Sequence, residues 1–141
     1  MKRNILVAHG GGPTTVINAS LFGVIDEAMR QSSSGKVFGA IHGVEGVLND
    51  ELIELSSQDQ KQLVLLPYTP ASAIGSCRRK LTDADYPRIL EVLKKHDIGC
   101  FFYNGGNDSM DTCNKISKYM LKNGYECRVM GVPKTIDNDL F

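Results

Sequence analysis

Three short runs of this 141-residue chain carry residue types that could move a phosphoryl group. The last, GVPKTIDND from Gly131 to Asp139, sets two carboxylates, Asp137 and Asp139, two positions apart, with Lys134 three residues before the first. Transfer of a phosphoryl group to a hydroxyl needs such parts: a carboxylate to accept the proton and cations to hold the migrating charge. The first run, His9 to Asn18, opens with Gly10, Gly11 and Gly12. The middle run, Asn104 to Thr112, contains Gly105 and Gly106 followed by Asn107, Asp108 and Ser109. Glycines let backbone N–H groups approach an anion, and a helix that follows turns its positive end toward it. Plainer roles exist for each run. The first could be a tight turn, Asp108 or Ser109 could merely cap a helix, and the last could be a solvated charged turn. The first run fits neither the G-x-G-x-x-G nor the Walker lysine pattern, so a dinucleotide site is weakly supported.

These runs need strands and helices to bring them together. Ile5–Ala8 is a short apolar run of the kind that forms a buried strand, and apolar residues then recur at helical spacing from Val16 to about Arg30. Val37–Ile41, Ile98–Tyr103 and Arg128–Val132 are further strand candidates, with Leu52–Leu55 as a small edge strand. Helices are expected over 57–65, capped by Ser57, over about 82–96, capped by Thr82, and over 110–121. Residues 43–50 have the composition of a turn. Strands alternating with helices predict an α/β three-layer sandwich around a mostly parallel sheet. In such sheets ligands bind beyond the carboxyl ends of the strands, where all three runs fall.

Bulk properties narrow the partners. Hydrophobic residues make up 42% of the chain and charged residues 23%, in the range of one soluble domain. The formal net charge is zero, which gives no reason to expect a nucleic acid or an anionic membrane as partner. No run approaches the roughly 20 apolar residues of a membrane span, and the expected location is the cytoplasm. None of Cys77, Cys100, Cys113 and Cys127 forms a C-x-x-C pair, so reduced thiols are expected. The sequence stops at Phe141 directly after PKTIDND, which reads as a boundary within a longer protein.

Four segments together resemble the phosphofructokinase family: PKTIDND at 133–139, GGNDS at 105–109, Gly11 and Gly12 with Asn18, and Gly75-Ser76-Cys77-Arg78. Their order and spacing agree with that family over essentially the whole chain. The resemblance implies the N-terminal, phosphoryl-donor-binding domain (1–141), with a second domain lacking. It implies phosphoryl transfer to the 1-hydroxyl of fructose 6-phosphate with Mg²⁺ as cofactor. By similarity Asp137 is the base, Thr135 contacts the sugar phosphate, and Asp139 holds metal or the migrating group through water. Gly11, Gly12, Arg78, Gly106, Asn107, Asp108 and Ser109 bind the donor, while Arg79 and Lys80 stay solvated. In ATP-dependent members the places of Asp108 and Lys134 are typically glycine; both are charged here, which favours pyrophosphate over ATP as donor. A full-length homo-oligomer is implied, and the isolated stretch is expected to be inactive.

Two departures stand out. Thr15 and Val16 occupy the usual proline and glycine places of the first turn. Asn107 stands where an aspartate usually helps to bind Mg²⁺, and an amide is the weaker ligand for a hard cation. The second departure keeps open a non-catalytic regulatory subunit of the same fold. Relatives that share only the glycine loop, such as NAD kinase or lipid kinases, lack PKTIDND.

Overall fold

A computed structural model describes residues 3–12, 15–31, 34–69 and 72–134. Thr135, Asp137 and Asp139 therefore lie outside the described residues. Among the described residues five strands form one sheet: β1 (Arg3–His9), β2 (Ser34–Ala40), β3 (Leu52–Glu54), β4 (Ile98–Gly105) and β5 (Arg128–Pro133). Their order is β3-β2-β1-β4-β5. All neighbours run parallel except β3, which pairs antiparallel with β2 at the edge. The α-helices among the described residues are α1 (Thr15–Arg30), α2 (Val44–Leu48), α3 (Gln60–Leu63), α4 (Asp85–Lys95) and α5 (Asn107–Lys122). A 3₁₀ turn covers Leu66–Tyr68.

Alternation along β1 divides the core in two, because successive side chains of a strand point to opposite faces. Leu6 and Ala8 pack with Val44 and Val47 of α2, Ile89 and Leu93 of α4, and Ile116 and Met120 of α5. Ile5 and Val7 pack on the other face with Leu21 and Ile25 of α1 and Leu63 of α3. The result is the expected three-layer sandwich. Phe101 of β4 is wholly buried in the first cluster.

The strands and α1 form where apolar periodicity places them, but four local expectations are corrected. Helix α3 does not start at Ser57, whose hydroxyl donates instead to Glu54 O at 3.1 Å. The cap is Asp59, whose carboxylate accepts from Lys61 N at 2.9 Å. Thr82 does not cap α4 either. Asp85, inside the helix, reaches back to accept from Thr82 N at 2.9 Å, so the bond runs in the opposite sense to a threonine cap. Residues 43–50 contain α2 rather than a bare turn, held by the buried side chains of Val44 and Val47. Helix α5 starts earlier than expected, at Asn107, with Gly106 as its N-cap and no side-chain capping bond. The capping roles considered for Asp108 and Ser109 are thus not used.

Candidate active site

The parallel register brings the described parts of the three runs, ending at Lys134 in the last, to one sheet edge. His9 pairs with Asn104, and Gly105 pairs with Pro133, so β1, β4 and β5 end side by side. Gly10 N donates to Asn104 O at 2.9 Å, and Lys134 N donates to Gly105 O at 2.7 Å. The arginine-bearing segment joins the same edge. Gly10 forms a parallel bridge with Cys77, Gly11 N donates to Cys77 O at 3.2 Å, and the Ser76 hydroxyl donates to Gly11 O at 2.6 Å. Gly11 has φ +75°, a conformation that suits glycine.

These loops surround a cleft of about 660 Å³ lined by Gly11, Gly12, Arg78, Asn107, Asp108 and Lys134, among others. Beside Gly12 two cations of the cleft's lining converge. A Cβ placed on Gly12 would lie 3.4 Å from a guanidinium nitrogen of Arg78 and 3.9 Å from Lys134 Nζ. Without a counter-ion such like charges repel, and a polyanion between them relieves that repulsion. The backbone adds positive character. Helix α5 begins at this edge after Gly106, and its first N–H groups have no side-chain cap, as in helix termini that bind anions. Asn107 and Asp108 are exposed on that first turn.

Ser109 sits differently from its neighbours. It lines the cleft yet is buried, and it hydrogen-bonds Tyr103. A Cβ on either Gly10 or Gly105 would run into its hydroxyl, so Ser109 fills the junction between the two glycine loops. Burial pushes the Tyr103 phenol well above its usual range, keeping it a neutral hydrogen-bonding group. The expectation that Arg79 is merely solvated is corrected. Arg79 pairs with Asp85 at 3.1 Å. A hydrogen bond from Thr82 N, then the nearby Arg79, holds the Asp85 carboxyl below the ordinary carboxylate range. This pair fastens the stretch after Arg78 to the start of α4.

Several cleft residues carry no sequence motif. Tyr103, Tyr86 and Leu81 form part of the wall, and Lys115 stands on α5 paired with Asp111 at 2.9 Å. Helical spacing was the available signal for the last two, because Asn107, Asp111 and Lys115 recur every four residues and share one face. Among the described residues no group of three or more His, Cys, Asp or Glu could hold a metal ion by itself. Asp108 supplies a hard carboxylate oxygen, and Mg²⁺ commonly binds one or two carboxylates plus substrate phosphates. The donor set therefore fits a magnesium ion that arrives chelated by phosphate.

Residues 4–141 match the family model for phosphofructokinase. The chain belongs to the phosphofructokinase family. It is 46% identical over 99% of its length to pyrophosphate–fructose 6-phosphate 1-phosphotransferase of Halomonas elongata, of which it covers 35%. It is 48% identical over 97% of its length to the enzyme of the same name from Xanthomonas campestris pv. campestris, covering 34% of that protein. The crystal structure of a pyrophosphate-dependent phosphofructokinase from Nitrosospira multiformis superposes with a TM-score of 0.94 at 46% identity, over 98% of this chain and 35% of that one. The chain thus spans about a third of the length of these relatives.

Proposed function

We propose that this chain binds pyrophosphate as phosphoryl donor, within a protein that transfers the phosphoryl group to the 1-hydroxyl of fructose 6-phosphate to give fructose 1,6-bisphosphate. The convergence of Arg78 and Lys134 on Gly12 carries this reading. Two neighbouring cations and two glycine loops suit a compact, highly charged anion. Asp108 argues against a nucleotide in the same place, because its carboxylate on the first turn of α5 faces the path of an α-phosphate, where like charges repel. The names of the relatives agree with this choice of donor.

In this reading Arg78, Lys134 and the N–H groups of Gly12 and Gly106 orient the donor and stabilise charge on the moving group, while Gly11 shapes the turn that presents them. Asp137 removes the proton of the 1-hydroxyl as the sugar oxygen bonds to phosphorus. The bridging P–O bond of pyrophosphate breaks, and orthophosphate leaves. Thr135 contacts the sugar phosphate, and Asp139 holds the transferring group through water. Asp108, helped weakly by Asn107, would hold Mg²⁺, which neutralises phosphate charge. Residues beyond this stretch complete the sugar pocket, and the whole protein forms a homo-oligomer. Among the described residues no helix is long and apolar enough to cross a membrane.

Titration calorimetry of this chain with pyrophosphate and with ATP, each with Mg²⁺, tests the donor site. Pyrophosphate is expected to bind more tightly, and Arg78→Ala to weaken it. Tighter binding of ATP would reverse the donor assignment, and binding of neither would remove the anion site.

A further inference from the structure

We propose that His9 is a positioning residue for the donor site: its neutral imidazole holds the Ser72–Gly75 turn, which sets Ser76, Cys77 and Arg78 against the glycine turn. This rests on the reading that Arg78 and Gly12 hold the donor. His9 is the last residue of β1 and is fully buried. Its Nδ1 lies 2.7 Å from the Ser72 hydroxyl oxygen. That hydroxyl has one proton, which it donates to Gly75 O at 2.9 Å. Ser72 can therefore only accept from the imidazole, which fixes the proton on Nδ1 and leaves Nε2 bare. Nε2 is buried and has no hydrogen-bond partner among the described residues. A buried unpaired nitrogen costs stability, so packing alone does not account for a histidine at this position.

What the imidazole holds is the entry to the arginine segment. Gly75 has φ +74°, and a Cβ there would strike the His42 ring, so the turn has little freedom to shift. Directly after it, Ser76 and Cys77 engage both backbone groups of Gly11, and Arg78 follows. A second tether approaches from α1, where Asn18 accepts from Ala73 N at 2.8 Å. The path from His9 to Arg78 thus runs through the hydrogen bonds of Ser72 to Gly75 and then along four consecutive residues of the chain, two of which, Ser76 and Cys77, are bonded to Gly11. An imidazolium would need an acceptor for a second N–H that the site does not provide, and burial accordingly pulls His9 from 6.5 down to about 4.

The test compares His9→Leu, His9→Asn and Ser72→Ala in this chain by calorimetry with magnesium pyrophosphate and by thermal unfolding. Leucine fills the space around Nε2 but gives Ser72 no donor. Asparagine places an amide N–H near the position of Nδ1. His9→Leu and Ser72→Ala should each weaken pyrophosphate about tenfold, the worth of one hydrogen bond. His9→Leu should not lower the melting temperature, and His9→Asn should restore affinity to within about threefold. Unchanged affinity in the leucine and alanine variants, or an asparagine variant as weak as leucine, overturns the assignment. Nitrogen-15 shifts of the parent protein report on the tether independently of any ligand. They should show Nδ1 protonated and Nε2 bare at pH 7, and the opposite tautomer sinks the proposal. If the shifts are as expected but the parent does not bind pyrophosphate, the donor reading fails, and with it the positioning role for His9.

Discussion

The ammonium group of Lys134 donates to the carbonyl oxygen of Gly12 at 2.8 Å, although the two residues lie 122 positions apart in the chain. The backbone N–H of Lys134 meanwhile bonds Gly105. One residue at the end of β5 thereby fastens both glycine loops. Lys134→Met should weaken pyrophosphate about 10- to 100-fold, the range for a lost hydrogen bond to a charged group. The loss should shrink as salt is raised, because exposed charge interactions are screened. Calorimetry at two ionic strengths measures both effects.

Donor choice is expected to follow the two charged positions. In Asp108→Gly combined with Lys134→Gly, ATP should gain relative to pyrophosphate. Removing the carboxylate opens the path of a longer polyphosphate, and removing the ammonium weakens the grip on the short one. The ratio of dissociation constants for the two donors, with Mg²⁺ in each case, reports the change. Glycine within the first turn of α5 costs about 1 kcal/mol of helix stability, so melting temperatures should accompany the titrations.

Mild acid should destabilise the fold through His9. Its folded value is depressed to about 4 from 6.5 by burial, so between those values the unfolded chain binds more protons. Stability therefore rises with pH across that window, by on the order of 3 kcal/mol in total. The Asp50 carboxyl is depressed by its bonds from Lys95 and His96. Its contribution is lost only as pH falls below the ordinary carboxylate value, which separates the two effects. Urea midpoints from pH 4 to pH 7 should slope upward in the parent and flatten in His9→Leu.

Gly10→Ala should cost about 1–3 kcal/mol by overpacking, because the added methyl meets Ser109 and a Tyr103 ring carbon at 2.8 Å. Ser109→Ala should recover part of that loss in the double variant. The two changes should therefore be non-additive, as for residues in direct contact. Chemical denaturation of the four-member cycle measures the coupling.

Much of this architecture was legible in the sequence. The apolar runs at Ile5–Ala8 and Ile98–Tyr103 and the helical spacing after Val16 correspond to β1, β4 and α1, because burial of alternating or periodic side chains dictates them locally. The glycine loops were legible as well, since few residues other than glycine suit such close backbone approach. The caps were harder to read. Ser57 and Asp59 are both good cap residues two positions apart, and the choice between them depended on where Glu54 ended β3. His9 gave no motif at all. Its partner Ser72 is 63 residues away, so the pair becomes visible only when the sheet edge is assembled. Tyr103 is legible in the sequence only as the end of a strand, whereas its hydroxyl supports Ser109 in the fold.

The order of strands also has a kinetic consequence. β1 lies between β2, its near neighbour in the chain, and β4, which begins only at Ile98. During synthesis β1 and β2 can pair while β4 and β5 have yet to emerge. Closure of the long loops to β4 and β5 is entropically slow and comes late. The donor cleft needs the ends of β1, β4 and β5 together, so it cannot exist before β4 and β5 have paired. An anion that binds there recognises only the completed sheet. Recovery of pyrophosphate binding during refolding should therefore lag behind recovery of helical circular dichroism, timing the last strands' arrival.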